Sequence, residues 1–237
     1  MTIHSKKDAF GKAITQYYNE PFEGNITVKA EYFEDDYIPV PYLFRSFNEM
    51  PLIEQEALSL CKGKVLDVGA GAGCHSIYLK ENGFDVISID ISPGAVDTMS
   101  KRGLNASLEN IYKHEGKYDT VILLMNGIGI AKDLNGLEKL LIHLKKLLNA
   151  NGQIILDSSD ISYLYEDENG IIMLPSSEEY FGIVKYQMEF NGTETDEFNW
   201  LYVEFEILKE ACTKLNLNIS LIKQTDNSNY LVSITTN

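Results

Sequence analysis

Short apolar runs alternate with amphipathic stretches along most of the chain, beginning near Lys64. Lys64–Val68 has the length and β-branched content of a buried strand, and it leads into a cluster of glycines. Cys74–Asn82 reads as a helix with Ile77, Tyr78 and Leu79 turned inward, and Gly83 falls where a left-handed C-cap residue belongs. Phe84–Ile89 is a second strand. Ser92 is placed to cap the next helix, with Pro93 in its first turn, Lys101 and Arg102 in its last, and Gly103 as its stop. A short strand is expected near Asn105–Leu108. Tyr118–Met125 is apolar almost throughout, as a strand covered on both faces should be. Leu134–Leu148 predicts a helix with a stripe at Leu137, Leu140, Leu141, Leu144, Leu147 and Leu148. Gly152–Leu156 is another buried strand. Leu201–Leu215 predicts a helix with Leu201, Phe205, Leu208, Cys212 and Leu215 on its inner face. Strands near Asn218–Lys223 and Tyr230–Thr235, joined through Asp226, Asn227 and Ser228, predict a closing hairpin.

Alternating strands and helices imply an α/β fold, Rossmann-like and doubly wound, with a mostly parallel seven-stranded sheet and one antiparallel strand from the C-terminal hairpin. Two segments fall outside the alternation. Residues 1–50 form an N-terminal extension to a main domain spanning 51–237. Residues from about 161 to 199, after the fifth strand, form an insertion too long for an ordinary connection. Both are expected near the carboxyl ends of the strands, where an open α/β sheet binds ligands.

Composition narrows the choice of partner. The formal net charge is −15, with Lys and Arg scattered singly or in pairs. A polyanion such as duplex DNA or tRNA needs a surplus of cations on one face, so nucleic acid is disfavoured, as is an anionic membrane surface. No stretch is long and apolar enough for a membrane span, and the N-terminal residues lack the apolar core of a signal peptide. The three cysteines, Cys61, Cys74 and Cys212, form no CxxC pair, which fits a reducing, cytoplasmic setting. Nothing in the sequence specifies an oligomeric state.

The chemistry centres on Val65-Leu66-Asp67-Val68-Gly69-Ala70-Gly71-Ala72-Gly73. Glycines there let the backbone turn sharply and let a ligand touch the main chain. A dinucleotide fingerprint has the spacing GxGxxG, but the sixth position here is Cys74. Asp67, two residues before the first glycine, would oppose a pyrophosphate and suits a cationic amino-acid group, or else braces the loop. Asp90 closes the second strand, where a carboxylate accepts both hydroxyls of a ribose.

VLDVGAGAG, VISIDIS, KYDTVILLMN and GQIILD, together with the closing hairpin, resemble the class I S-adenosylmethionine-dependent methyltransferases of small-molecule type. The resemblance implies S-adenosylmethionine as donor and S-adenosylhomocysteine as product. It assigns Asp67, Gly69, Ala70, Gly71 and Gly73 to the methionine part, Asp90 to the ribose and Ile91 to the adenine. Many members carry an Asp after the third strand, near the adenine amino group; here Ser107 takes that place. Met125 and Asn126 follow the fourth strand, where the family often lines its acceptor site, and no NPPY-type run is present. Asn126 and Asp157 are therefore expected at a small-molecule acceptor. Arg45 is expected to pair with the donor carboxylate, as an arginine does in methyltransferases of the glycine N-methyltransferase type, or else to pair with the nearby acidic cluster on the surface. On these assignments residues 1–50 cover the donor and 161–199 the acceptor.

Other residues have plainer readings. His75 is expected to pack against the N-terminal segment, on a helix N-terminus that disfavours an imidazolium. His143 is expected in solvent, His114 in a polar loop and His4 in a tail. Asp157 and Asp160 with Asn126 offer oxygen ligands but no metal-binding spacing, so no metal is expected. The acidic runs at 31–36, 166–168 and 194–197 read as solvated surface. No catalytic residue is assigned, because methyl transfer from a sulfonium demands positioning first. Two rivals remain at this stage: a nicotinamide-dependent oxidoreductase, and a non-catalytic protein that binds S-adenosylmethionine.

Overall fold

The computed structural model describes residues 2–31, 33–174, 179–226 and 228–236. Asn227 of the expected hairpin turn and Tyr32 of the first acidic run lie outside the described residues. Helix α1 (Ala9–Asn19) precedes strands β1 (Asn25–Ala30) and β2 (Asp36–Pro39) and helix α2 (Leu52–Ser59). The alternating part follows as β3 (Lys64–Val68), α3 (Cys74–Glu81), β4 (Asp85–Asp90), α4 (Pro93–Lys101), β5 (Ala106–Leu108), β6 (Tyr118–Leu123), α5 (Leu134–Leu147) and β7 (Leu148–Ser159). Then come β8 (Ile183–Phe190), β9 (Thr193–Glu194), β10 (Phe198–Leu201), α6 (Phe205–Lys214), β11 (Leu217–Gln224) and β12 (Asn229–Thr236).

The larger sheet has seven strands in the order β11-β12-β7-β6-β3-β4-β5. Strands β3 to β7 in this sheet run parallel, and β12 runs antiparallel to β7 and β11. This is the Rossmann-like α/β sheet expected from the alternation. Its strands are apolar on both faces because helices cover both. Leu66, Val121, Leu123 and Leu156 pack with the buried leucine stripe of α5. Their neighbours Val65, Ile122 and Ile155 point the other way, onto Ile53, Ala57 and Leu58 of α2 and Leu79 of α3.

Two sequence expectations need correction. The helix read from Leu201 begins at Phe205, and Leu201 ends strand β10, paired with Ile183. Leu201 fits the helical stripe only because a fully buried strand residue happens to fall at the right spacing. On α3 the first turn is the most buried part, with Cys74, His75 and Ser76 inside while Ile77 and Tyr78 are half-buried. That turn is packed beneath Arg45 and Glu54.

The segments outside the alternation build a second sheet together. Its order is β10-β8-β1-β2, with β9 paired to β8, and every pairing is antiparallel. Val28 faces Asp36 on one side and Met188 on the other. Phe190, Ile26 and Val40 are buried against Ala9, Ala13 and Ile14 of α1, so this sheet rests on that helix.

Helix α1 is in turn anchored to the Rossmann body at its N-terminus. The buried Asp8 caps α1 by accepting from the Gly11 N–H (2.9 Å). The same carboxylate accepts from Ser92 Oγ (2.8 Å) and the Gly94 N–H (2.9 Å) at the start of α4. Ser92 Oγ also accepts from the Ala95 N–H (3.0 Å), the cap expected from sequence. The helices cross so closely that a Cβ on Gly94 would lie 2.5 Å from the backbone of Gly11. Gly94→Ala should therefore force α1 and α4 apart and cost about 1–3 kcal/mol, the usual range for overpacking. Urea unfolding measures this, and α1 should become more sensitive to protease; unchanged stability would mean that the crossing is not close-packed.

Candidate active site

Strand β3 delivers the chain to the carboxyl edge of the sheet, where it turns through Gly69, Gly71 and Gly73 at φ values of 71°, 58° and 82°. A side chain at such φ meets its own backbone, so these positions favour glycine. The amides of Gly69 and Ala70 bond the carbonyl of Ile89 (2.9 and 3.2 Å), which ties the loop to β4. Gly73 has a packing role as well: a Cβ there would lie 2.4 Å from Leu104 Cδ1. Phe10 of α1 lies over Gly71, so the extension reaches the loop itself.

Three carboxylates are buried along this edge. Asp67 accepts from Ser76 Oγ (2.7 Å), and burial raises its pKa against the lowering influence of His75 and Ser76. Asp90 accepts from the N–H groups of Gly71 (2.9 Å) and Ser92 (2.8 Å). Burial nonetheless pushes its pKa up to about 6. Ile91, next in the chain, is 37% exposed and so free to meet a ligand. Asp157, at the end of β7, accepts from the Asn126 N–H (3.1 and 3.2 Å to its two oxygens) and is pushed up to about 7, mainly by burial. Met125 and Asn126 both have left-handed backbone, at φ 61° and 55°, a strained turn directly beside Asp157. Ser107 lies within the edge strand β5, paired with Ile89, rather than after it. Parallel pairing with β4 runs on through Leu108, so Glu109 is the first residue beyond the strand.

Arg45 is not on the surface. It is 5% exposed, and it pairs with the buried Glu54 rather than with the acidic run near residue 35. Its Nη1 donates to the Tyr42 carbonyl (2.8 Å), and the guanidinium stacks on the Tyr42 ring at 4.0 Å. Its Nε is buried without a hydrogen-bond partner. A buried unpaired donor is costly, and a bound carboxylate would satisfy it. Glu54 also pairs with His75 Nε2 (2.7 Å). Burial lowers the His75 pKa, but Cys74, Glu54 and Asp67 outweigh it and hold the imidazole well above the ordinary histidine range. The effect of the helix N-terminus is thus overridden by Cys74 and the neighbouring carboxylates. Glu54 carries no sequence signal of its own, lying in a short helix with acids on either side of it in the chain.

The other histidines serve structure. His114 is buried between Glu109 (2.8 Å) and the Tyr118 hydroxyl (2.7 Å), and His143 is half-buried with Nε2 3.1 Å from the His114 carbonyl oxygen. His4 caps a short 3-10 turn. Asp160 accepts from the Ser162 N–H (2.8 Å) and so caps a turn.

The edge therefore combines a positive-φ glycine loop, a buried acid after the second strand of the Rossmann sheet, and an orphan guanidinium donor. These features fit the ribose and carboxylate of S-adenosylmethionine. A family model described as a methyltransferase domain matches residues 43–219. A solved S-adenosylmethionine-dependent methyltransferase from Bacteroides fragilis, in complex with S-adenosylhomocysteine, is 36% identical, with a TM-score of 0.93 over 100% of this chain and 98% of that one. A glycine/sarcosine N-methyltransferase of Halorhodospira halochloris is 28% identical over 179 residues, 64% of each chain. A 23S rRNA (uracil(747)-C(5))-methyltransferase of Pyrococcus horikoshii is 29% identical over 111 residues, 42% of this chain and 27% of that protein. The chain thus spans less than two thirds of the length of these last two relatives. The length of the family match and the agreement with the Bacteroides fragilis protein over both chains lead to one conclusion: the chain belongs to the S-adenosylmethionine-dependent methyltransferase family.

Proposed function

We propose that the protein transfers a methyl group from S-adenosylmethionine to a small-molecule acceptor bound between the Rossmann sheet and the second sheet. The observation that carries this reading is the glycine loop tied to Asp90, which accepts from the Gly71 N–H (2.9 Å) while remaining at the strand end where a ribose would dock. The sulfonium supplies an already activated methyl group. The protein's own residues bind, orient and exclude water. In this reading Gly69, Ala70, Gly71 and Gly73 cradle the methionine part with Asp67 behind them, Asp90 takes the ribose, and Ile91, Ser107 and Met125 border the adenine and the methyl end. Arg45 receives the donor carboxylate through its free Nε. Asn126 and Asp157 hold the acceptor, with Asp157, at a pKa of about 7, able to take a proton near neutrality. Residues 1–50 cover the donor and the 161–199 insertion covers the acceptor. Likeness to a glycine/sarcosine N-methyltransferase supports a small acceptor, and the charge of −15 weighs against a nucleic acid. No helix among the described residues is long and apolar enough to cross a membrane, and the three buried free cysteines support a cytoplasmic location.

Three measurements test the donor assignments. Asp90→Ala should weaken S-adenosylhomocysteine binding by about 1.5–3 kcal/mol, the range for hydrogen bonds to a charged group. Asp90 is ionised above its pKa of about 6. Affinity of the unmodified protein should therefore hold at neutral pH and fall as pH drops below 6, and Asp90→Asn should flatten that profile. Calorimetry that finds the same affinity in the variant would remove Asp90 from the site. Arg45→Ala should weaken S-adenosylmethionine but barely affect a donor analogue lacking the carboxylate. Equal weakening of both ligands, or of neither, would sink the Arg45 assignment.

A further inference from the structure

We propose that the acceptor is an amine, recognised as its cation by an aromatic wall on the inner face of the second sheet, with Asp36 as counter-charge; this rests on the methyl-transfer reading above. Strand register builds the wall. Val28 pairs with Asp36 and Met188, Ala30 pairs with Tyr186, Tyr186 pairs with Phe198, and Val184 pairs with Trp200. Directly paired residues share a face, and so do residues two apart on one strand. Asp36, Tyr186, Phe198 and Trp200 therefore share the face on which Ile26 and Met188 pack against α1, the face turned toward the Rossmann body.

Two contacts place this wall beside Asn126 and Asp157. The Trp200 indole lies directly on Gly129, in the turn Gly127–Ala131 that follows Asn126, and a Cβ there would lie 2.1 Å from its Nε1. The Val203 N–H donates to Ser158 Oγ (3.1 Å), which ties the chain just beyond Trp200 and Tyr202 to the strand that carries Asp157. The rings form a continuous set: Tyr186 to Phe198 at 6.3 Å, Phe198 to Trp200 at 6.1 Å, and Tyr186 to Tyr202 edge-on at 6.5 Å with their hydroxyls 3.1 Å apart. All four are only half-buried, so ring surface is left to meet a ligand. Burial, together with the charge of Asp36, raises both phenols, so they stay neutral and keep their π faces.

Electron-rich ring faces beside a carboxylate attract a cation and give an anion nothing. A neutral acceptor would gain only contact area from the same wall. In the transfer, the ammonium first gives a proton to the Asp157 carboxylate. The freed nitrogen lone pair forms the new N–C bond as the S–C bond breaks, and that bonding pair stays on sulfur. The products are a methylated ammonium, neutral S-adenosylhomocysteine and protonated Asp157, which releases its proton to water.

Trp200 is the only tryptophan in the chain and reports on its own wall. The protein saturated with S-adenosylhomocysteine is titrated with propylamine and benzylamine, with the isosteric alcohols, and with butyrate and benzoate. Tryptophan emission should respond saturably to the amines, at concentrations at least tenfold lower than to the alcohols, and not to the carboxylates. Asp36→Asn and Tyr186→Leu should each weaken the amine response about fivefold or more, with melting temperature and S-adenosylhomocysteine affinity unchanged. An equal response to amines and alcohols, no response to any amine, or amine binding unchanged in both variants would overturn the proposal and leave the methyl-transfer reading standing. Failure of S-adenosylhomocysteine to bind at all would overturn that reading, and this proposal with it.

Discussion

The packing between Arg45 and the first turn of α3 depends on one buried carboxylate, Glu54. It is 4% exposed, and it gathers Arg45, His75 and the Tyr42 hydroxyl around its two oxygens. Ions removed from water each cost several kcal/mol unless they are paired in good geometry. Burial alone would push Glu54 up and Arg45 down, yet the shifts run the other way for both, because His75 and then Arg45 hold Glu54 ionised while Cys74 and then Glu54 hold the guanidinium charged. A guanidinium clamped by Glu54, by a carbonyl and by the Tyr42 ring has little freedom left. Nε is the guanidinium nitrogen left without a partner, held in direction by the groups around it. The same carboxylate holds His75 at the base of the glycine loop, and both groups act on the charge of Asp157 at the far strand end. Glu54 thus links Arg45 and His75 to the strand end that carries Asp157.

The second constraint is the joining of distant segments. Strand β1 pairs with β8, and closing so long a loop carries an entropic cost that grows only slowly with its length. Apolar burial offsets that cost. Ile26, Phe190 and Val40 are all buried against α1, and Asp8 adds hydrogen bonds that lock α1 to α4. The lock adjoins Asp90, since Asp8 bonds Ser92, and Ser92 donates through its backbone to Asp90.

What the sequence reveals follows the range of the interactions. The Rossmann sheet was legible because its signals are local: a glycine turn after a strand, Ser92 and Pro93 opening a helix, a leucine stripe at helical spacing. Asp67, Asp90 and Asp157 were legible as the acids that close apolar strands. The second sheet was not. Its strands come from residues 25–39 and 183–201, they carry mixed polar and apolar residues, and nothing near either segment announces the other. For the same reason Leu201 passed for the start of a helix, and Arg45 could be read as a surface cation until Glu54 was found beside it. Asp8 offered only the look of an ordinary cap, because its partners on α4 lie far along the chain.

The two halves of the cleft are set by the same strand. Met188 and Phe190 of β8 pack toward α1 and the glycine loop, while Tyr186 and Val184, one and two steps back on the same face, pair with Phe198 and with Trp200, which lies on the turn after β6. β8 is hydrogen-bonded to β1 on one side and β10 on the other, so it cannot bend at Tyr186 without carrying both neighbours. The distance from the glycine loop to the aromatic wall is therefore fixed by how α1 seats on α4, through Asp8 and the Gly11–Gly94 contact. In-line transfer demands that acceptor and methyl donor meet within a few tenths of an ångström of one geometry. A cover in two independent flaps, one from each terminal side of the Rossmann sheet, would leave that distance loose. Joining extension and insertion into a single sheet removes that freedom.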